Sequence, residues 1–381
     1  MDAIAFLLGA LLLCLVTWDL FETIVVPRPT PDRFRIARYV VRISWRVVRA
    51  VGRSRNGRSH DTLLGLFAPA MTLALLVSWL AALVLGYGLV LFGLRDQLSP
   101  VPNDLGTTMY FAASSVLTLG YGDIVAVGPA ARAVVVVAAV SGLGVVALVV
   151  TFLFSLYGSY QRREVKVVTL QAAAGAPPSA VALLETFAEL GLRDRLPGMF
   201  AEWERWAAEV LDTHVAFPLL GFFRSSHDNL SWISALGTVL DAATLVLTTT
   251  EGVPRGEAEL FKRVGSHLVE DITNLGFRAG ITGDPRAAVP GDLDRGAFGE
   301  AYRRLGRVGY DLVPVDAAWR AFESARAEYA GRLNAMAAYW ATPANSWLDP
   351  STALTSPAHI QAAGSAAAIL DTDANPHEEA R

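Results

Sequence analysis

Apolar residues along the 381-residue chain gather in three long runs. The first is free of charge from Ala3 to Trp18 and continues past Asp19 and Glu22 to Val26. The second is charge-free for 33 residues, Thr62 to Leu94, and the third for 29, Ala133 to Gln161. Crossing a bilayer takes about 20 mainly apolar residues, so each run predicts a membrane-spanning helix. The second run exceeds that need, and its surplus predicts an interfacial entry near Pro69 or an extracellular extension. No basic stretch precedes the first run and no small-x-small cleavage site follows it, so it reads as a retained span and not a signal peptide. Between the second and third runs, residues 107–117 are apolar enough for a helix of about three turns but too short to span. Beyond residue 163 the pattern changes. Trp203, Trp206 and Val210, and then Trp319, Phe322, Leu333, Met336 and Trp340, recur at spacings near 3 and 4, as on one face of a helix. The stretch 229–250 is apolar but interrupted by Asp241, which predicts a buried core helix and not a fourth span.

Charge gives the runs a direction. Residues 1–163 hold 14 Arg and no Lys against 8 Asp and Glu, whereas the remainder holds 18 Lys and Arg against 28 Asp and Glu. Ten arginines fall within residues 28–58, beside the single acid Asp32. By the positive-inside rule this segment is cytoplasmic, as are Arg162, Arg163 and Lys166. The N-terminus and residues 95–132 are then extracellular. Arg35, Arg38, Arg42, Arg46, Arg49 and Arg53 lie three or four apart, the spacing of an amphipathic helix resting on an anionic inner leaflet. Asp19 and Glu22 share a helix face and read as boundary acids facing these arginines.

Composition excludes several classes. With 53% hydrophobic residues, 18% charged and a mean hydropathy of +0.38, the chain is not an ordinary soluble enzyme. A lone cysteine, Cys14, precludes an intrachain disulfide or a cysteine-built metal centre. There is no glycine-rich phosphate loop, no metalloprotease motif and no nucleophile elbow, so neither catalysis, a resident cofactor nor nucleic-acid binding is expected.

The remaining chemistry lies in Thr118-Leu119-Gly120-Tyr121-Gly122-Asp123, directly after the short apolar helix and between two spans. Dehydrating K+ requires a replacement shell of oxygens, and stacked rings of backbone carbonyls can supply it. Pointing successive carbonyls one way needs backbone conformations that glycine adopts at low cost. This arrangement resembles the pore helix and selectivity filter of the potassium channel family, over roughly residues 62–163. A second tripeptide, Gly86-Tyr87-Gly88, lies inside an apolar run with neither the threonine nor the aspartate. It reads as two glycines that ease helix packing.

The resemblance implies a passive potassium-selective channel, with K+ as permeant ion and no cofactor. It implies ion-coordinating carbonyls from Thr118, Leu119, Gly120 and Tyr121, with the Thr118 hydroxyl as the innermost ring. Gly122, Asp123, Tyr110 and Ser114 would support the filter. One filter per chain implies a homotetramer. Gly142 matches a family gating hinge, although close packing explains Ser141-Gly142-Leu143-Gly144 equally well. The chain departs from the pattern at Leu119, Leu117, Ser114 and Tyr110, which predicts a weaker cuff around the filter. A weakly selective cation channel, or a membrane sensor whose output is the cytoplasmic domain, are the alternatives.

The expected fold class is an all-α membrane protein: a potassium-channel pore module plus a cytoplasmic helical domain. Its parts are an N-terminal transmembrane helix (1–27), a basic amphipathic helix (28–61), the pore module (62–162), the cytoplasmic domain (163–349) and a disordered tail (350–381). The pore module divides into an outer helix (62–94), pore helix (107–117), filter (118–123) and inner helix (130–161). The cytoplasmic domain lacks the glycine-rich turn of a nucleotide-binding domain. Asp284, Asp292 and Asp294 fit no calcium-loop spacing, so its ligand or protein partner stays open. Arg outnumbers Lys 30 to 2, and no eukaryotic sorting signal is present, which suggests a bacterial plasma membrane.

Overall fold

The computed structural model describes residues 2–26, 36–53, 58–225, 230–278, 295–340, 342 and 347–348. The aspartates at 284, 292 and 294 and the tail from 350 onward lie outside the described residues, as does Arg35. The chain forms two compact units, Met1–Tyr160 with Thr213–Arg224, and Gln161–Asp212 with Ser225–Arg381.

The first unit contains α1 (Asp2–Leu20), which ends in a π-helical turn at Phe21–Val25, then α2 (Ile36–Arg53) and α3 (Arg58–Gly93). A short helix, α4 (Leu105–Val116), and α5 (Pro129–Ala174) follow, with a two-residue ribbon of β1 (Leu98–Ser99) and β2 (Val125–Ala126) between them. Among the described residues, three helices are long and apolar enough to cross a membrane: Ala3–Ile24, Leu63–Gly93 and Pro129–Ala174. α3 continues through Pro69 as one helix of 36 residues, about 54 Å long, so the interfacial entry expected near Pro69 is part of the helix itself.

Small residues set the helix spacing in this unit. A β-carbon on Gly9 would stand 2.6 Å from the Gly86 carbonyl oxygen, and one on Gly86 would stand 2.8 Å from the Leu13 side chain. α1 and α3 therefore meet backbone against backbone. A β-carbon on Gly88 would come within 2.9 Å of Met109 in α4, so the second Gly-Tyr-Gly copy is a packing seam on both sides. Val16, Leu83, Leu91, Phe111, Val116 and Val145 form the core where α1, α3, α4 and α5 converge.

The second unit takes the end of α5 and adds α6 (Ala180–Glu189), α7 (Leu196–Ala216, to Asp212), α8 (Trp232–Thr248) and α9 (Gly256–Arg278). α10 (Arg295–Arg307), α11 (Val315–Ala327) and α12 (Ala330–Tyr339) complete it, with β3 (Thr250–Glu251) paired antiparallel to β4 (Asp311–Leu312). The apolar face read along residues 319–340 is thus divided between two helices. Every residue of α8 from Trp232 to Val246 is buried, so this apolar helix is the centre of a helical core. Its one acid, Asp241, accepts from Arg326 Nε at 3.0 Å and from the Tyr329 hydroxyl at 2.6 Å, as a buried carboxylate must to offset its desolvation. The end of α5 is fastened to α7 by ion pairs, Arg162 to Glu209 and Lys166 to Glu202, and by a Trp206 Nε1 bond to the Arg163 carbonyl at 3.2 Å.

Candidate functional site

α4 starts at Asp104, whose Oδ1 accepts the Thr107 amide and whose Oδ2 accepts the Thr107 hydroxyl, each at 2.8 Å. The Thr107 amide holds the Asp104 carboxyl below its ordinary range. At the other end of α4, the helix carbonyls that lack an intrahelical partner are taken by the segment that follows. Leu117 N bonds Ala113 O at 2.9 Å, Thr118 N bonds Ser115 O at 3.1 Å, and Leu119 N bonds Ser114 O at 2.8 Å. Ser114 is therefore joined to the loop 118–123 through its carbonyl. The first two amides of that loop are anchored to the helix terminus, and the rest of the loop runs free of it.

From there the backbone alternates. Thr118, Gly120 and Gly122 have φ of 55°, 62° and 80°, and Thr118 is the one non-glycine residue with positive φ among the described residues. A β-branched residue in this region is costly, about 1–3 kcal/mol, and such strain concentrates at functional sites. A β-carbon on Gly120 or Gly122 would meet nothing within 4 Å. Glycine is required there by the sign of φ and not by space. Leu117, Leu119 and Tyr121 are 47%, 52% and 65% exposed, so this loop presents apolar side chains outward from the single chain.

The Tyr110 ring stacks parallel to Tyr121, with centroids 6.2 Å apart and planes within 4°. Asp123 is the chief group acting on the Tyr110 hydroxyl, so the two lie near each other across the loop. Gly142 sits in unbroken helix against the C-terminus of α4, where a β-carbon would stand 1.9 Å from the Val116 carbonyl oxygen. Around Gly144 there is nothing within 4 Å. Of the two glycines, only Gly142 is demanded by packing.

Three positioning contacts escaped the sequence reading. The Gln97 Oε1 accepts the amides of Ala130 and Ala131, each at 3.1 Å, and so caps α5. The Tyr87 hydroxyl lies 2.7 Å from Ser141 Oγ, which itself donates to the Val137 carbonyl, so Tyr87 is the donor and ties α3 to α5. Asp19 is 2% exposed and accepts from Trp79 Nε1 at 2.9 Å. Asp19 is a buried tie between α1 and α3, and Glu22 beside it is buried too. No cluster of three or more metal-ligating side chains occurs among the described residues.

Helices long and apolar enough to cross a membrane, with a short non-spanning helix and a backbone loop of alternating hand between two of them, fit a membrane protein. Residues 74–158 match the family model for ion channels, a stretch from within α3 through α4 and the loop into α5, which supports an ion channel. No curated protein and no solved structure matches the chain.

Proposed function

We propose that this chain is one subunit of a homotetrameric potassium-selective channel, with the loop 118–123 of each copy facing a shared axis. The observation that carries the reading is the positive φ at Thr118, Gly120 and Gly122 immediately beyond α4. That alternation lets the carbonyls of Thr118, Leu119, Gly120 and Tyr121 point to one side and replace the water around K+. Four chains close the ring, because one strand of carbonyls cannot surround an ion. The exposed Leu117, Leu119 and Tyr121 are then the surfaces that neighbouring copies cover, as apolar exposure of this kind calls for.

Conduction is passive. K+ sheds water at the outer mouth, moves between carbonyl rings, and pauses where the C-terminal dipole of α4 favours a cation. The stack of Tyr110 on Tyr121 supports a held filter, and so favours K+ selectivity over the weakly selective alternative. The arginine-rich composition of α2 supports a position on the anionic inner leaflet of a cell membrane, with the start of α1 outside and the second unit in the cytoplasm.

The test is K+ flux into liposomes that contain purified protein. Wild type takes up K+ in preference to Na+, and Gly120→Ala abolishes the preference. Equal flux of both ions through the wild type contradicts the proposal.

A further inference from the structure

Residues Thr213–Arg224 belong to the first unit, although the residues on either side of them in sequence belong to the second. They comprise the last turn of α7 and a 3-10 turn, Pro218–Phe222. Proline at the first position starts this turn without an orphaned donor, and Leu219, Leu220, Phe222 and Phe223 are all buried. The rings of this segment point two ways. Phe222 enters a three-ring cluster with Trp45 of α2 and Phe67 of α3, with centroids 5.0 and 5.3 Å away. Trp45 and Phe67 themselves are 4.9 Å apart.

On the other side the segment grips α5. Phe217 meets Phe152 edge-on at 5.5 Å, and Phe223 meets Tyr157 at 5.6 Å and Tyr160 at 5.4 Å. The Tyr160 hydroxyl also donates to the Arg224 carbonyl at 3.1 Å. These residues stand about 23 to 31 positions after the start of α5, or roughly 35–45 Å along it, where a helix that enters at Pro129 leaves the bilayer. Phe154 falls outside the gripped arc and is 77% exposed. One face of the inner end of α5 is thus held against α2 and α3, and the adjacent face is left open.

We infer that residues 217–224 are a strut that sets the position of the inner end of α5 and thereby the balance between open and closed pore. The inference rests on the channel reading. It follows from the way the segment is built: it is short, its contacts are aromatic and specific in angle, and both its ends continue into the second unit. A shift of the second unit therefore pulls on Phe217 and Phe223, whose ring contacts pass the displacement to α5. Phe217, Phe222 and Phe223 are positioning residues; they touch no ion.

The experiment is single-channel recording of full-length protein with Phe217→Ala, Phe223→Ala and Phe217→Tyr. Each alanine variant should move the open-to-closed ratio by about three- to tenfold, the scale of one aromatic pair. Unitary conductance and reversal potential should stay at the wild-type values, and Phe217→Tyr, which keeps the ring, should restore the ratio. A purely structural role would lower the number of channels and leave the ratio of the survivors unchanged, which overturns the inference. Hydrogen exchange at residues 150–160 in lipid nanodiscs gives a second measure, independent of current. The alanine variants must exchange faster there, and unchanged exchange also overturns the strut. A silent wild type contradicts the channel reading instead, and leaves the exchange result to decide the strut alone.

Discussion

Gly142 lies directly beneath the Val116 carbonyl, so close that a β-carbon on the glycine would stand 1.9 Å from the oxygen. This contact seats the C-terminus of α4 on α5 and so fixes the height at which the loop 118–123 begins. It also separates the two readings of Ser141-Gly142-Leu143-Gly144, because a hinge needs backbone freedom and a seat needs only the missing side chain. Gly142→Ala should cost about 1–3 kcal/mol, as overpacking does, and lower the thermal stability of the purified protein. Gly144→Ala, with open space around it, should change stability by under about 1 kcal/mol. Equal melting temperatures for the two variants would remove the packing role.

At Gly120 the expectation is different in kind. An alanine there meets no neighbour within 4 Å, yet it must hold a positive φ, at a cost of about 1–2 kcal/mol per chain. Gly120→Ala should therefore leave the melting temperature of the second unit unchanged while abolishing K+ preference. Preserved preference would show that the alternation of φ is not what selects.

The stack of Tyr110 on Tyr121 predicts a graded effect. Tyr110→Phe keeps the ring pair, whereas Tyr110→Ala removes it, a contact worth about 0.5–1.5 kcal/mol. K+ currents should then decline faster during sustained opening in the alanine variant, with the reversal potential unaltered, and stay near the wild-type time course in Tyr110→Phe. Equal time courses in the two variants would contradict a role for the ring pair.

Acid should loosen α4 through its cap. The Asp104 carboxyl is held below its ordinary range in the folded chain, chiefly by the Thr107 amide. A depressed folded value means that the cap stabilises the fold above the ordinary carboxylate value and loses this as pH falls through the lowered one. Wild-type thermal stability should consequently fall between about pH 5 and pH 3. Asn caps as well as Asp but does not titrate, so Asp104→Asn should have a flatter profile over that interval. Parallel profiles for the two proteins would contradict the assignment.

In the second unit, Asp241 and Arg326 form a pair that is 0% and 8% exposed at the side chain. Arg326→Met leaves the carboxylate buried without its cation and should cost about 3–5 kcal/mol. Calorimetry should register the loss in the transition of the second unit, with little change in ion preference.

What the sequence made legible follows from what lipid and ions demand of it. A run such as Ala133 to Gln161 is mainly apolar and free of charge because its side chains must suit hydrocarbon, and helices cover all three such runs. The loop at 118–123 was legible because glycines at alternate positions after a short helix have a backbone purpose, and the φ values supply it. The alternation begins one step earlier, at Thr118, which no residue preference would suggest. Long-range ties were hidden. Gln97 caps a helix 33 residues away, and Trp79 reaches an aspartate 60 residues before it in the chain. Side chains of this sort are common at any surface, and nothing local marks their partners. Phe217, Phe222 and Phe223 lie in the second half of the sequence, yet they pack within the first unit. Hydrophobic spacing reports that a side chain is buried and does not report against what.

The most direct test of the central claim is the reversal potential of the purified full-length protein in a planar bilayer, with K+ on one side and Na+ on the other. The account predicts a value close to the K+ equilibrium potential, collapsing in Gly120→Ala. A robust current that reverses near zero would contradict it.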